Sequence, residues 1–234
     1  MQAKSYKHQI VIVDGGNSFD SDFDALKWLI DCDWDVMEKK SSWKKWLSDG
    51  LSDHFETIRV DMPNTMNAKY GEWKVWFEKY FSHIQGIEGH ASIKTTLERI
   101  AERKEHEKDL KKLVLVGHSL GAIFLMKYLS ESGFPRWVDA LHLVAPVLDN
   151  QWLNSGESVG SFAFSHAGLP HLHKAIPHIH IWGSTDDKIV PYDHAVRYHI
   201  STIGSVLHTF HDRGHFIGQA HFVELFEEIL KLVR

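Results

Sequence analysis

A chain of 234 residues, 43 % hydrophobic and 24 % charged, has the makeup of a packed globular protein and excludes a disordered one. Its formal charge of −5 comes with no sustained lysine or arginine stripe, which argues against nucleic acid as a partner, because phosphate neutralisation supplies most of such binding. Cys32 is the only cysteine, so no intramolecular disulfide can form, and the apolar stretch at residues 10–13 is too short for a signal peptide or membrane span. The expectation is a cytoplasmic protein of one domain, residues 1–234.

Short runs rich in valine, isoleucine and leucine recur along the chain with helical patterns between them. The first, residues 9–13, leads into Asp14-Gly15-Gly16-Asn17, small residues that let main-chain groups approach a ligand closely. Neither Gly-x-Gly-x-x-Gly nor a Lys-Ser/Thr ending follows, which argues against a phosphate-binding loop. Residues 19–51 read as a helical insertion holding Trp28, Trp34, Trp43 and Trp46 among many acidic residues. Asp31-x-Asp33-x-Asp35 does not make a calcium loop, because Val36 stands where glycine is needed and Ser42 where a bidentate glutamate is needed. Asp20, Asp22 and Asp24 fail in the same way, with Ala25 and Asp31 at those positions.

Residues 57–60 read as the second strand, followed by Asp61-Met-Pro-Asn64. Trp73, Trp76, Phe77 and Tyr80 then fall at helical spacing and read as core packing rather than a cofactor box. Ser92 can cap a helix with Ile93, Leu97 and Ile100 on one face, and the alternating charges of residues 102–112 read as its solvated face and end.

The stretch 113–121 carries the most information. Leu113 to Val116 form the continuous apolar run expected of a parallel strand buried on both faces, and it enters Gly117-x-Ser119-x-Gly121. A buried helix covering residues 122–129 follows and ends at Ser132-Gly133, with Pro135 beyond. Strand, glycine-flanked serine and helix in that order predict a nucleophile elbow, in which a sharp turn pushes the serine hydroxyl out of the backbone.

A serine hydroxyl becomes a nucleophile only when a base takes its proton, and the base needs a carboxylate to fix its tautomer. After the strand at 140–144 and a segment at 148–174 rich in glycine, serine, histidine and aromatics, the strand at 178–182 leads to Asp186 and Asp187. Asp187 is the expected acid and Asp186 the alternative, because Asp-x-Ile-Val-Pro places Asp187 at the end of the turn facing the carboxyl edge of the sheet. The strand at 205–210 leads to the loop holding His211 and His215. His215 is the expected base, His211 its competitor, and Phe222, Leu225, Phe226, Ile229 and Leu230 mark an amphipathic C-terminal helix.

The oxyanion donors expected are the backbone N–H groups of Leu120 and Gly16. No metal is expected: His171, His173, His178 and His180 are close in sequence, but neither His-Glu-x-x-His nor Cys-x-x-Cys occurs. Residues 19–51 and 148–174 are the candidate cover over the site, and the many Trp and Phe residues predict an apolar acyl pocket. The alternation of elements implies an α/β fold of about six mostly parallel strands with helices on both faces.

Val-Gly-His-Ser-Leu-Gly-Ala, Gly-Ser-Thr-Asp-Asp-Lys-Ile-Val-Pro and Arg-Gly-His-Phe together resemble the α/β-hydrolase superfamily. More narrowly, with Asp61-Met-Pro-Asn64 and its neighbouring tryptophans, they resemble the small serine hydrolases related to retinoblastoma-binding protein nine and its bacterial relatives. The resemblance, which runs from Ile10 to the C-terminus, implies Ser119 as nucleophile, Asp187 as acid, His215 as base, Gly16 and Leu120 as oxyanion donors, and cofactor-free hydrolysis of carboxylic esters or related acyl bonds. Asp14-Gly15 departs from the His-Gly that many relatives carry, and the Trp-rich insertion is longer than expected. A small-molecule acyl or ester substrate is the expected partner. The alternative is a non-catalytic protein-interaction module retaining the fold, although a Leu-x-Cys-x-Glu pattern cannot be formed around Cys32, where Ile30 and Trp34 stand. A further alternative gives the same residues another reaction, acyl transfer to an acceptor other than water or a cofactor-free lyase step.

Overall fold

The computed structural model describes residues 7–32, 42–84, 111–151, 153 and 157–234. The expected helix after Ser92, the charge run at 102–110, and Asp33, Trp34, Asp35 and Val36 lie outside them.

Six strands build the sheet: β1 (His8–Val13), β2 (Phe55–Val60), β3 (Leu113–His118), β4 (Ala140–Val144), β5 (His178–Ser184) and β6 (Val206–Phe210). They lie in the order β2-β1-β3-β4-β5-β6, and every neighbouring pair is parallel. The helices are α1 (Asp22–Asp31), α2 (Trp43–Gly50), α3 (Tyr70–Lys79), α4 (Leu120–Ser132), α5 (Asp193–Ser201) and α6 (Val223–Leu230). Among the described residues no helix is long and apolar enough to cross a membrane.

The central strands are mostly apolar because both of their faces are covered. In β1, Val11 and Val13 point into one core with Trp73, Phe77, Ile123 and Tyr198, while Ile10 and Ile12 point into a second core with Trp43, Leu47, Leu225 and Ile229. In β3, Leu115 and Val116 divide between the same two cores. Side chains alternate across a strand, so helices α3, α4 and α5 cover one face and α2 and α6 the other.

The parallel order sends all six strand ends to one edge, where the sheet's loops gather. The aromatic stripe of α3 helps to shape that edge. Trp73 and Phe77 are core, as their spacing predicts, but Trp76 is largely exposed. Trp73 Nε1–H donates to the Pro63 carbonyl (2.8 Å) and Trp76 Nε1–H to the Asp61 carbonyl (2.8 Å). These bonds fix the loop after β2, whose Thr65 carbonyl accepts from the Asn17 N–H at 2.7 Å.

Candidate active site

Ser119 lies between β3 and α4 with φ 55° and ψ −121°, a conformation that side chains other than glycine seldom adopt. The surroundings hold it there. Its N–H donates to the Val144 carbonyl (2.9 Å) and its carbonyl accepts from the Ala122 N–H (3.0 Å). The flanking glycines are required by close approach: a Cβ on Gly117 would lie 2.7 Å from the Ala122 Cα. One on Gly121 would meet the Val13 carbonyl oxygen and lie 2.6 Å from that of Asp14. The strained serine is therefore a backbone consequence of seating α4 against the end of β1.

Asp187 closes the turn after β5. Its Oδ1 accepts from the N–H groups of Ile189 (2.8 Å) and Val190 (3.0 Å), and its Oδ2 lies 2.8 Å from His215 Nδ1. Both side chains are nearly buried. A carboxylate only accepts, so His215 Nδ1 carries a proton and donates it to Asp187, leaving Nε2 the ring nitrogen turned from the carboxylate. Asp186 lies beside this pair with different partners. Its Oδ1 accepts from the Ser184 hydroxyl and from the Gly214 N–H (2.9 Å), joining the turn after β5 to the histidine loop. The Ser184 hydroxyl, despite its exposed neighbour, is the first cause holding the Asp186 carboxyl below the ordinary range. His211 is exposed and pairs with Thr185 at 2.9 Å.

Ser119 and His215 line one cavity of about 350 Å³, together with Gly16 and Leu120. A Cβ on Gly16 would lie 2.6 Å from the Thr65 carbonyl oxygen, so only glycine lets this loop turn against the loop after β2. Val147, Leu153, Val159, Ile189, Val190 and Ile217 make the apolar wall. The pocket expected from the Trp and Phe content is thus aliphatic: Trp43, Trp73 and Trp182 are buried core, and no Trp or Phe lines the cavity among the described residues. Of the two candidate cover segments, residues 148–174 contribute Leu153, Glu157, Ser158 and Val159, and residues 19–51 contribute Lys44.

Three features of the site have no sequence motif. The first is Lys44, at the start of α2, which pairs with Asp14 and whose Nζ lies 3.1 Å from His118 Nδ1. Burial pushes the Lys44 ammonium down, against the pull of Asp14. Burial raises the Asp14 carboxyl, but Lys44 and Arg59, the latter at 3.0 Å, outweigh it and hold the group below its usual range. The second is His118, whose Nε2 lies 2.9 Å from the His215 carbonyl. Burial first, then Lys44 and His215, hold His118 well below the ordinary histidine value, so it is neutral. The third is His194 on α5, which accepts from the Leu148 N–H at 3.0 Å and bonds the Gln151 carbonyl at 2.7 Å, fixing the segment after β4.

Six parallel strands, helices on both faces and a serine on the turn after the central β3 define an α/β-hydrolase. Solved structures agree: the ydeN gene product of B. subtilis matches with TM-score 0.65, 17 % identity and coverage of 96 % of this chain and 98 % of that one. Est1E of Butyrivibrio proteoclasticus, solved with ferulic acid bound, matches with TM-score 0.52, 14 % identity and coverage of 96 % and 87 %. The family model described as serine hydrolase matches residues 40–234, and the chain belongs to that family. It is 27 % identical over 195 residues to serine hydrolase RBBP9 of Rattus norvegicus, covering 82 % of this chain and 84 % of that protein.

Proposed function

We propose that this hydrolase is a cofactor-independent carboxylesterase in which Ser119 is the nucleophile, His215 the base and Asp187 the acid. The observation that carries the reading is the buried Asp187–His215 pair at the wall of the cavity that Ser119 also lines. His215 Nε2 takes the Ser119 proton as Oγ attacks the ester carbonyl, and Asp187 stabilises the imidazolium. The N–H groups of Leu120 and Gly16 receive the developing oxyanion, each worth about 10²- to 10³-fold in rate. Collapse of the tetrahedral intermediate expels the alcohol, which takes the proton from His215. Water then attacks the acyl-enzyme by the same route, releasing the acid and restoring Ser119.

The aliphatic wall supports an acyl group without charge. Labelling with a fluorophosphonate tests the reading: stoichiometric labelling of the wild type, absent in Ser119→Ala, with parallel loss of p-nitrophenyl butyrate hydrolysis, is the expected result. Equal turnover by Ser119→Ala overturns it. Absence of labelling in the wild type favours the interaction module.

A further inference from the structure

We propose that Lys44 is a positioning residue for His215, acting through His118 to hold the main chain that carries the base; this rests on the esterase reading above. The side chains form one continuous chain of contacts, Arg59 to Asp14, Asp14 to Lys44, Lys44 to His118 Nδ1, and His118 Nε2 to the His215 carbonyl.

The two ends of this chain select one form of the His118 ring. A carbonyl oxygen only accepts, so His118 Nε2 must carry the hydrogen and donate to His215. An ammonium only donates, so His118 Nδ1 must present its lone pair to Lys44. Both partners enforce the same neutral tautomer. In the other tautomer, two lone pairs would face each other at the His215 carbonyl and push the base's loop away. Asp14 keeps Lys44 a cation, and thereby a pure donor, although the side chain is only 12 % exposed.

Helix α2 also reaches this loop directly, because Trp43 Nε1–H donates to the Phe216 carbonyl at 3.0 Å. Adjacent residues of α2 thus reach adjacent carbonyls, Trp43 that of Phe216 directly and Lys44 that of His215 through His118. The loop needs such restraint: Gly214 (φ 49°) and Phe216 (φ 55°) both have left-handed backbone on either side of the base. Part of the insertion after β1 therefore serves the catalytic geometry from the cavity wall, where Lys44 stands beside His118 and His215.

The test is a double-mutant cycle on p-nitrophenyl butyrate with Lys44→Met, His118→Phe and the double variant, with thermal unfolding to establish that each is folded. Lys44→Met is expected to lower kcat by roughly 10- to 100-fold with KM within about twofold, because small displacements of a reacting group act on the chemical step. In the His118→Phe background, Lys44→Met is expected to change kcat by less than about twofold, since the route is already cut. Lys44→Gln, which keeps a donor, is expected to recover part of the loss. Additive effects of the two substitutions overturn the proposal, as does a rise in KM at constant kcat, which would make Lys44 a substrate contact. A variant too unstable to assay is replaced by Asp14→Asn, which is expected to lower kcat in the same way; unchanged kcat there overturns the proposal. Failure of the esterase reading has its own signature, a wild type that neither labels nor turns over.

Discussion

Acid should destabilise this protein through a stack of imidazoles on the sheet, outside the cavity that Ser119 and His215 line. His142, His180 and His208 stand on β4, β5 and β6 with ring centroids 4.9 Å and 5.2 Å apart, and Trp182 lies flat on His208 at 3.7 Å. Burial is the first cause lowering all three, and it takes His180 to about 4, with His208 and His178 adding to the effect and Glu228 opposing it. Lys231, just past the end of α6, also lowers His180. The unfolded chain takes up this proton at the ordinary 6.5 and the folded chain only near 4. Stability is therefore full above 6.5 and is lost as the pH falls through that window. Linkage over the two values gives about 2 kcal/mol lost at about pH 5, and solvent around the half-buried ring trims this to about 1 kcal/mol for His180 alone. Urea unfolding at about pH 7.5 and about pH 5, on wild type and His180→Phe, reads the difference. The variant keeps the ring stack, so its own drop between the two pH values should be smaller than the wild-type drop by about 1 kcal/mol. An identical drop in both proteins would refute the assignment of the proton to His180.

Gly121→Ala sets a favourable helix propensity of about 1 kcal/mol against a clash with main-chain carbonyls that cannot rotate aside, and the clash wins. A net loss of about 2 kcal/mol, or a Tm fall of about 4–8 °C, is expected by calorimetry together with lost turnover. Asp187→Asn is expected to lower kcat by about 10⁴-fold with little change in KM, because the amide favours the wrong His215 tautomer; a fall below tenfold contradicts that role. Asp186→Ala removes the bond to the Gly214 N–H and should cost roughly tenfold in kcat, well short of Asp187→Asn. Trp43→Phe deletes the donor to the Phe216 carbonyl and should lower stability by about 1 kcal/mol in urea titration while conserving the aromatic packing on Phe222.

What the chain disclosed on reading follows from how local each feature is. The strands were legible because β1, β3 and β4 are apolar at almost every residue, and the turn at Ser119 because its glycines sit within two residues of it. The limits of β4 agree and those of the other strands differ by one or two residues: β3 runs on through Gly117 and His118, and β5 through Gly183 and Ser184, where pairing with the next strand continues although the apolar run has stopped. Position in the turn favoured Asp187 over Asp186 on reading, but the partners that distinguish the two, Gly214 and His215, come from another loop. Lys44 was not legible at all. It is 30 residues from Asp14 and 74 from His118, inside a charged helix whose lysines read as solvated. The tryptophans misled for a related reason, since large apolar rings serve a core as well as a pocket, and here they fill the cores on either side of the sheet.

The contact between Gly121 and the carbonyls ending β1 sets when the strained backbone of Ser119, the proposed nucleophile, can exist. Those groups are about a hundred residues apart along the chain, so the turn at Ser119 cannot close against them until the centre of the sheet has been assembled. Closure of so long a loop is slow compared with forming α4 by itself. A nascent or partly unfolded chain thus holds its strand and its helix before it holds a strained hydroxyl. On the proposed mechanism, the capacity to form an acyl-enzyme arrives with the last long-range contact and is lost with the first one to break.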